Sequence, residues 1–426
     1  MALTAVLAVA CGNQAATPTS GVSPTVPNTD AAATATSPAA TATSEASPTA
    51  TRRPLAESGP GPSPIIEPDP LYQAELDASR LGISGWRTDF SRHTVAYDEI
   101  LSGGVGRDGI PPIYNPRFET IEEVGPVMND LEPVVTFRIN GEARAYPLAI
   151  LTWHEVVNDI VGGVPVAVTF CPLCNSALAF VRTLEGREFT FGVSGFLRNS
   201  DLIMWDRQTQ TWWQQLTGEA IVGELAGHQL EIIPASIISW ADFKEANPGS
   251  LVLSRDTGFD RPYGSNPYAG YDRVDRPPFL FDGEEDDRLF PKERVAAFNI
   301  GEVSAAFPFP LLETERVVNY VINETDVVVF HKLGTTSALD QSSIIFSKDV
   351  GSTGVFEAEL EGTLLTFRVE NDVFVDDQTG SVWNILGRAV EGEMTGKSLT
   401  PIAHGNHFWF AWAAFNPDTM IYKGQE

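Results

Sequence analysis

Basic residues are scarce in this chain. Its 426 residues hold 28 Lys and Arg against 56 Asp and Glu, a formal net charge of -28. That balance excludes nucleic acid and anionic membrane surfaces as electrostatic partners. Its simplest meaning is the solubility of an exported protein. No Lys or Arg precedes Arg52, so the positive n-region of a signal peptide is missing. The apolar run at residues 2–10 is too short to span a bilayer. No phosphate loop, dinucleotide fingerprint or G-x-S-x-G elbow occurs. Ser194, in Gly192-Val193-Ser194-Gly195, superficially resembles the elbow, but no helix pattern follows it. Nucleotide-driven and serine-hydrolase chemistry are thereby set aside.

Cysteine occurs three times, as Cys11, Cys171 and Cys174. Cys11 follows small residues and precedes Gly12, an arrangement similar to the end of a bacterial lipoprotein signal. Ala8 stands where Leu is usual. Residues 1–11 are therefore expected to be a lipoprotein-like signal, with Cys11 lipidated. Residues 12–66 are almost entirely Ala, Thr, Ser and Pro, nearly uncharged and without aromatics. Such a segment cannot bury enough apolar surface to offset its ordering entropy. It is expected to be a disordered stalk holding a folded head away from the membrane. The expected location is the cell envelope, outside the cytoplasm, with a lipid anchor making the membrane a partner.

The remainder repeats itself. Val134-Val135-Thr136-Phe137 and Ala145-Tyr146-Pro147 recur as Val295-Ala296-Ala297-Phe298 and Ala306-Phe307-Pro308. Val156-Val157-Asn158 recurs as Val317-Val318-Asn319, and Asp206, Thr209 and Trp213 recur as Asp376, Thr379 and Trp383. Order is kept throughout, which points to an internal duplication. In this alignment Val168-Thr169-Phe170 falls on Val328-Val329-Phe330. Cys171 then stands opposite His331, Cys174 opposite Gly334, and His154 opposite Glu315.

Most segments are strand-like. Val164–Phe170 is β-branched and bounded by Gly-Gly and Cys-Pro. Glu188–Val193 and Asp201–Trp205 also have strand character. Helix is expected only over 148–157 and 236–246. The fold class is α+β, predominantly β, with two homologous β-rich lobes preceded by the disordered stalk. The expected divisions are a lead-in at 67–125, lobe 1 at 126–254, an inter-lobe loop at 255–291 and lobe 2 at 292–426. Tyr263, Tyr268 and Tyr271 argue that the loop packs over the lobe junction, since three tyrosines would be wasted on a solvated linker.

Several motifs together resemble a known family. They are Asp108-Gly109-Ile110-Pro111, Ala145-Tyr146-Pro147, His154-Glu155-Val156-Val157-Asn158-Asp159, Cys171-Pro172-Leu173-Cys174-Asn175-Ser176-Ala177, Phe191-Gly192-Val193-Ser194-Gly195 and Ser337-Ala338-Leu339-Asp340. These are similar to domain-of-unknown-function family 3179, over about residues 84–422. The resemblance implies a bacterial or archaeal extracytoplasmic protein and implies no reaction.

The chemistry must then be read from the residues. Cys171 and Cys174 sit where a strand runs into a loop. Residues 176–181 do not form the helix pattern of a thioredoxin-type site, which argues against a thiolate stabilised by a helix N-terminus. A disulfide here would close a four-residue loop, with an entropic gain of about 2 kcal/mol against about 4.7 for a hundred-residue loop. Half of a soft-metal site, a redox dithiol and a structural disulfide all remain open. Copper or zinc suits sulfur and imidazole. His154 and His331 are the candidate further ligands, the latter if the lobes face each other across a pseudo-twofold axis. Glu155 and Asp340 are candidate supporting residues. His404 and His407 fit an aromatic-rich strand edge better than a chelate. Duplicated Asp206 and Asp376 are expected to cap turns. The alternative to a metal or thiol-redox protein is a non-enzymatic surface module binding carbohydrate or protein, with a structural disulfide.

Overall fold

The computed structural model describes residues 66–425. The lipoprotein-like signal, Cys11 and all but the last residue of the stalk lie outside the described residues. Strand makes up 39% of the structure and helix 14%, so the class is mostly β. Among the described residues no helix is long and apolar enough to cross a membrane.

The first half has three larger sheets and a two-stranded hairpin, Thr183–Leu184 with Arg187–Glu188. One runs Ser236–Ser239, Pro133–Ile139, Glu142–Pro147, Leu251–Leu253, Phe118–Thr120. A second runs Ile232–Ile233, Ser176–Val181, Val164–Cys171, Val156–Val161. The third carries Ile100–Ser102, Phe191–Arg198, Asp201–Asp206, Trp212–Gln214 and Ala220–Val222. The second half has sheets of similar order. His404–Phe408, Arg294–Ile300, Val303–Pro308 and Met420–Ile421 form one; Val317–Ile322, Thr325–Lys332, Ser352–Glu357 and Thr400–Pro401 another; the strands from Phe367 to Glu391 the last.

Local rules explain the helices. Leu148–His154 begins after extended Pro147 and ends at Glu155, whose φ is 58°. Val156 and Val157, expected in this helix, open the next strand instead, because β-branched side chains fit a pleated ladder better than a helical turn. The helix expected from 236 starts at Trp240 for the same reason. Ser236-Ile237-Ile238-Ser239 pairs with Pro133–Thr136, and the Ser239 hydroxyl then caps the Asp242 amide at 3.0 Å. The expected strand 188–193 is interrupted, with Arg187–Glu188 closing a small hairpin and Phe191–Arg198 forming the long strand.

The cores do not respect the midpoint of the chain. The largest cluster joins Val156, Val168, Phe170, Met204 and Trp213 to Val295, Ala306, Leu339, Phe408 and Trp409. A second joins Trp240 and Phe243 to Val328, Phe330, Phe374 and Trp383. Tyr263, Tyr268 and Tyr271 of the loop pack against the first cluster.

The turn-heading aspartates act as caps. Asp206 accepts the Thr209 amide at 2.6 Å and the Trp213 indole N–H at 3.0 Å; Asp376 accepts Thr379 at 2.6 Å and Trp383 at 2.9 Å.

The register of the two central hairpins differs from the sequence alignment. Val156 pairs with Thr169 and Val317 with Phe330, and the turns fall at Val161/Val164 and Ile322/Thr325. Matched turn to turn, the two ladders place Thr169 and Phe330 on the same rung. Phe170 is therefore opposite His331, and Cys171 opposite Lys332. The alignment matched the two phenylalanines and slipped by one residue. In a strand that slip moves a side chain to the other face.

Candidate functional site

Cys171 ends its strand and begins a tight turn. Its carbonyl accepts the Cys174 amide at 3.3 Å, with Pro172 second in the turn, where its fixed φ is favourable. Cys171 and Cys174 are thus the first and last residues of one β-turn, and their sulfurs lie together. Both are buried free thiols. Asn175 leaves the turn at φ 50° and sends the chain into Ser176–Val181, a strand as the sequence suggested. The strand His404–Phe408 closes the turn from outside: Phe408 N–H donates to the Cys174 carbonyl at 2.9 Å and Asn175 Nδ2 to the Asn406 carbonyl at 2.5 Å.

A third group completes the cluster. Phe191–Arg198 and Asp201–Asp206 form a hairpin whose two-residue turn, Asn199-Ser200, has positive φ at both positions. That is the geometry of a type I′ turn, which matches the twist of the strands. It brings the Ser200 carbonyl to 3.9 Å from Cys171 Sγ and 3.6 Å from Cys174 Sγ. It also delivers Asp201. One carboxylate oxygen and the two sulfurs lie within 4.8 Å of one another, all buried. Asp201 Oδ2 accepts Gln214 Nε2 at 2.6 Å and Leu216 N–H at 2.9 Å, while Oδ1 is buried without a hydrogen-bond partner. No feature of the cysteine motif pointed to Asp201. Its signal in the sequence is an acid opening the apolar run Leu202-Ile203-Met204-Trp205.

Burial disfavours charge throughout the cluster. Burial raises the Asp201 carboxyl to about 6, against the opposing pull of Gln214, the Leu216 amide and the nearby thiols. Burial also raises the Cys171 thiol, and raises Cys174 well above the usual thiol range with the neighbouring sulfur and Asp201 adding to it.

Unpartnered acceptors concentrate around this point. Ser176 Oγ, Gln214 Oε1 and Gln215 Oε1 are buried without a partner, like Asp201 Oδ1. Ser176 stands directly across the ladder from Cys171. Gln214 bonds Asp201, and Gln215 bonds Thr169 Oγ1 at 2.8 Å and the Ser176 carbonyl at 3.2 Å. Four such atoms, on residues linked to the cysteine turn and Asp201 through these bonds, make this the part of the core with most unused hydrogen-bonding capacity around the sulfurs.

The inter-lobe loop covers the cluster. Ser200 Oγ donates to the Phe279 carbonyl at 2.5 Å, Phe279 N–H to Tyr271 Oη at 3.2 Å, and Tyr268 Oη to Glu155 Oε1 at 3.2 Å. Glu155 is buried, which lifts its carboxyl to about 8. The loop is anchored to the second half by buried Asp272. Its Oδ2 accepts Ser337 Oγ at 2.6 Å and Arg294 Nη2 at 3.0 Å.

The other sequence candidates lie elsewhere, and none joins the ligand cluster. His154 is buried between the Pro111 carbonyl and Tyr263 Oη, each at 2.6 Å. A carbonyl only accepts, so Nδ1 carries the proton and Nε2 accepts the tyrosine hydroxyl. Both nitrogens are spent on holding the lead-in and the loop. His331 packs edge-on against Phe309 at 5.4 Å, with Nε2 donating to the Val350 carbonyl at 3.3 Å. It shares the rung of Phe170 rather than that of Cys171, and it is not part of the Cys171-Cys174-Asp201 group. Asp340 accepts the Lys348 amide at 2.9 Å, and its carbonyl accepts Gly270 N–H at 2.6 Å, so it secures the loop. Asp69, Glu75 and His93 form a second, more exposed group with ligand atoms close together.

Fold and site together define a mostly β protein with a buried Cys-Cys-Asp cluster roofed by a long loop. The family described as "Protein of unknown function (DUF3179)" matches residues 107–419, and the chain belongs to that family. No curated protein and no solved structure matches it.

Proposed function

We propose that this is a lipid-anchored, extracytoplasmic protein that binds a soft or borderline transition metal, zinc or copper, through Cys171, Cys174 and Asp201. The observation that carries the reading is the compact buried donor set of two sulfurs and a carboxylate oxygen. Two thiolates and a carboxylate carry three negative charges, which a cation would offset in a place where burial disfavours each of them. Three protein donors leave a fourth position on a tetrahedral zinc ion, and the sulfurs equally suit cuprous copper. Thiol redox exchange has less support, because buried thiols with raised pKa values are poor nucleophiles. Anchoring through Cys11 and an envelope location are part of the proposal and rest on the sequence. So does descent of the two halves from one duplicated unit, supported by the similar sheet orders and the matched Asp206 and Asp376 turns.

The test is metal analysis of anaerobically purified protein after loading with zinc or cuprous ion. Wild type is expected to hold one ion per chain, and Asp201→Asn to hold it at least 100-fold more weakly with the fold intact. Cys171→Ser and Cys174→Ser are expected to lose it. A wild-type protein that takes up no stoichiometric metal would sink the proposal, and a readily formed Cys171–Cys174 disulfide would favour the redox alternative.

A further inference from the structure

A second group of ligand-type side chains lies in the lead-in, ahead of residues 107–419 that match the family. Asp69, Glu75 and His93 each present one donor atom, and the three atoms lie within 4.8 Å of one another. Two separate elements bring them together. His93 lies on the edge of the third sheet of the first half, where it bridges to Val222. Asp69 precedes the helix Tyr72–Ser79, and Glu75 stands within it. That helix is held on the sheet by Leu76, which packs in a cluster with Phe90, Tyr97 and Trp212. Asp69 N–H donates to the Ser91 carbonyl at 2.6 Å.

The histidine is aimed at the carboxylates. Its Nδ1 lies 2.9 Å from the Val95 carbonyl, which only accepts, so Nδ1 carries a proton. Its Nε2 then faces Asp69 Oδ2 at 3.3 Å. Ligating histidines are held in this way, with a backbone carbonyl on one ring nitrogen and the other left for the metal. Asp69 is oriented in turn, because its Oδ1 accepts the Leu71 amide at 2.8 Å. A nitrogen and a carboxylate oxygen on one tetrahedral zinc ion stand about 3.4 Å apart, given bonds of about 2.0–2.2 Å. The His93–Asp69 separation already matches that edge. The Asp69 side chain is 30% exposed and Glu75 is exposed, so an ion can reach the group from solvent and Glu75 can close the remaining gap by rotation.

Charge decides between a proton and a metal ion. A proton on Nε2 would make His93 a cation and balance one carboxylate. Glu75 would remain, since among the described residues its carboxylate has no hydrogen bond and no ion pair. Arg92, next to His93 in sequence, is taken by Asp89 at 3.3 Å and by the Ile66 carbonyl. The surplus is felt at Tyr97, whose hydroxyl is pushed up first by burial and then by Glu75 and Asp69. A divalent ion balances both carboxylates. One imidazole nitrogen and two carboxylate oxygens suit zinc rather than cuprous copper.

We propose that Asp69, Glu75 and His93 bind a zinc ion that clips the lead-in helix to the edge of the sheet. The site shares no residue with the cysteine cluster and does not depend on it. It offers no sulfur and opens to solvent, so it is the weaker of the two, filled in free zinc and emptied on desalting.

The test uses the full-length protein, desalted after purification and titrated with zinc chloride by calorimetry. The His93 ring nitrogens are followed by NMR, and amide exchange is followed over Tyr72–Ser79. A saturable zinc-binding step is expected that shifts Nε2 and slows exchange in the helix. His93→Gln and Glu75→Gln should each weaken this step by roughly tenfold or more, the second at an exposed position where the fold is not at stake. Cys171→Ser should leave the step in place, so failure of the cysteine reading and failure of this one are told apart. Calcium, which takes all-oxygen sites, should not displace the zinc. If Asp69 and His93 form an ion pair only, Cys171→Ser will show no saturable step. That result, a step that survives undiminished in His93→Gln or Glu75→Gln, or displacement of zinc by equimolar calcium would overturn the proposal.

Discussion

Phe170 and His331 occupy the same rung of two hairpins: each amide donates at 2.8 Å to the carbonyl of the positive-φ residue that ends the preceding helix, Glu155 for Phe170 and Arg316 for His331. His331 is thus the counterpart of a core residue. His331→Phe is expected to leave metal stoichiometry and affinity as in wild type, measured by the metal analysis used for Cys171→Ser. A loss of metal in His331→Phe comparable to that in Cys171→Ser would restore the idea of convergent ligands from both halves.

Glu155 makes apo stability depend on pH. Its carboxyl rises from 4.5 unfolded to about 8 folded, with burial the main cause. The folded state therefore binds the proton more tightly, and stability is lost as pH rises from 4.5 through about 8. The full difference corresponds to roughly 4–5 kcal/mol. Glu155→Gln keeps the shape and cannot ionise. It should raise the melting temperature by several degrees at pH 8 and leave it nearly unchanged at pH 4. His331 works in the opposite direction. Burial pushes its pKa from 6.5 to about 4, so stability falls as pH drops through that interval. Equal melting curves for Glu155→Gln and wild type at pH 8 would show that the carboxyl is not held neutral.

Asp272 holds the roof. Its partner Arg294 is nearly buried, with a 7% exposed side chain, and Asp272 itself is fully buried. Removing one member of a buried pair leaves the other uncompensated, at about 3–5 kcal/mol. Asp272→Ala should show that loss in chemical denaturation and should also speed alkylation of Cys171 and Cys174 under native conditions. Unchanged alkylation would mean that thiol access does not pass through the loop's anchorage.

The sequence made some features legible and hid others, for identifiable reasons. The cysteine turn was readable because Cys171-Pro172-Leu173-Cys174 is local and its strand is bounded by clear signals. The caps at Asp206 and Asp376 were readable because both lie within a few residues of what they bind. Asp201 was not, since it reaches the sulfurs from another hairpin and no spacing rule connects it to them. The role of His154 depends on Pro111 and Tyr263, 43 and 109 residues away in sequence. His331 was misplaced because two phenylalanines a rung apart align better by letter than by hydrogen bond. The loop's function as a roof was foreshadowed by its tyrosines, but its anchor, Asp272, resembles any surface acid until Arg294 is beside it.

The bond from Phe408 to the Cys174 carbonyl joins residues 234 positions apart, and it orders events during synthesis. The cysteines leave the ribosome well before the strand that shuts their turn. Until His404–Phe408 docks, the flank of the turn stands open to oxidants, thiols and ions. The time between those two moments is the interval in which the cluster can most easily be filled or damaged, and it is set by chain length rather than by affinity.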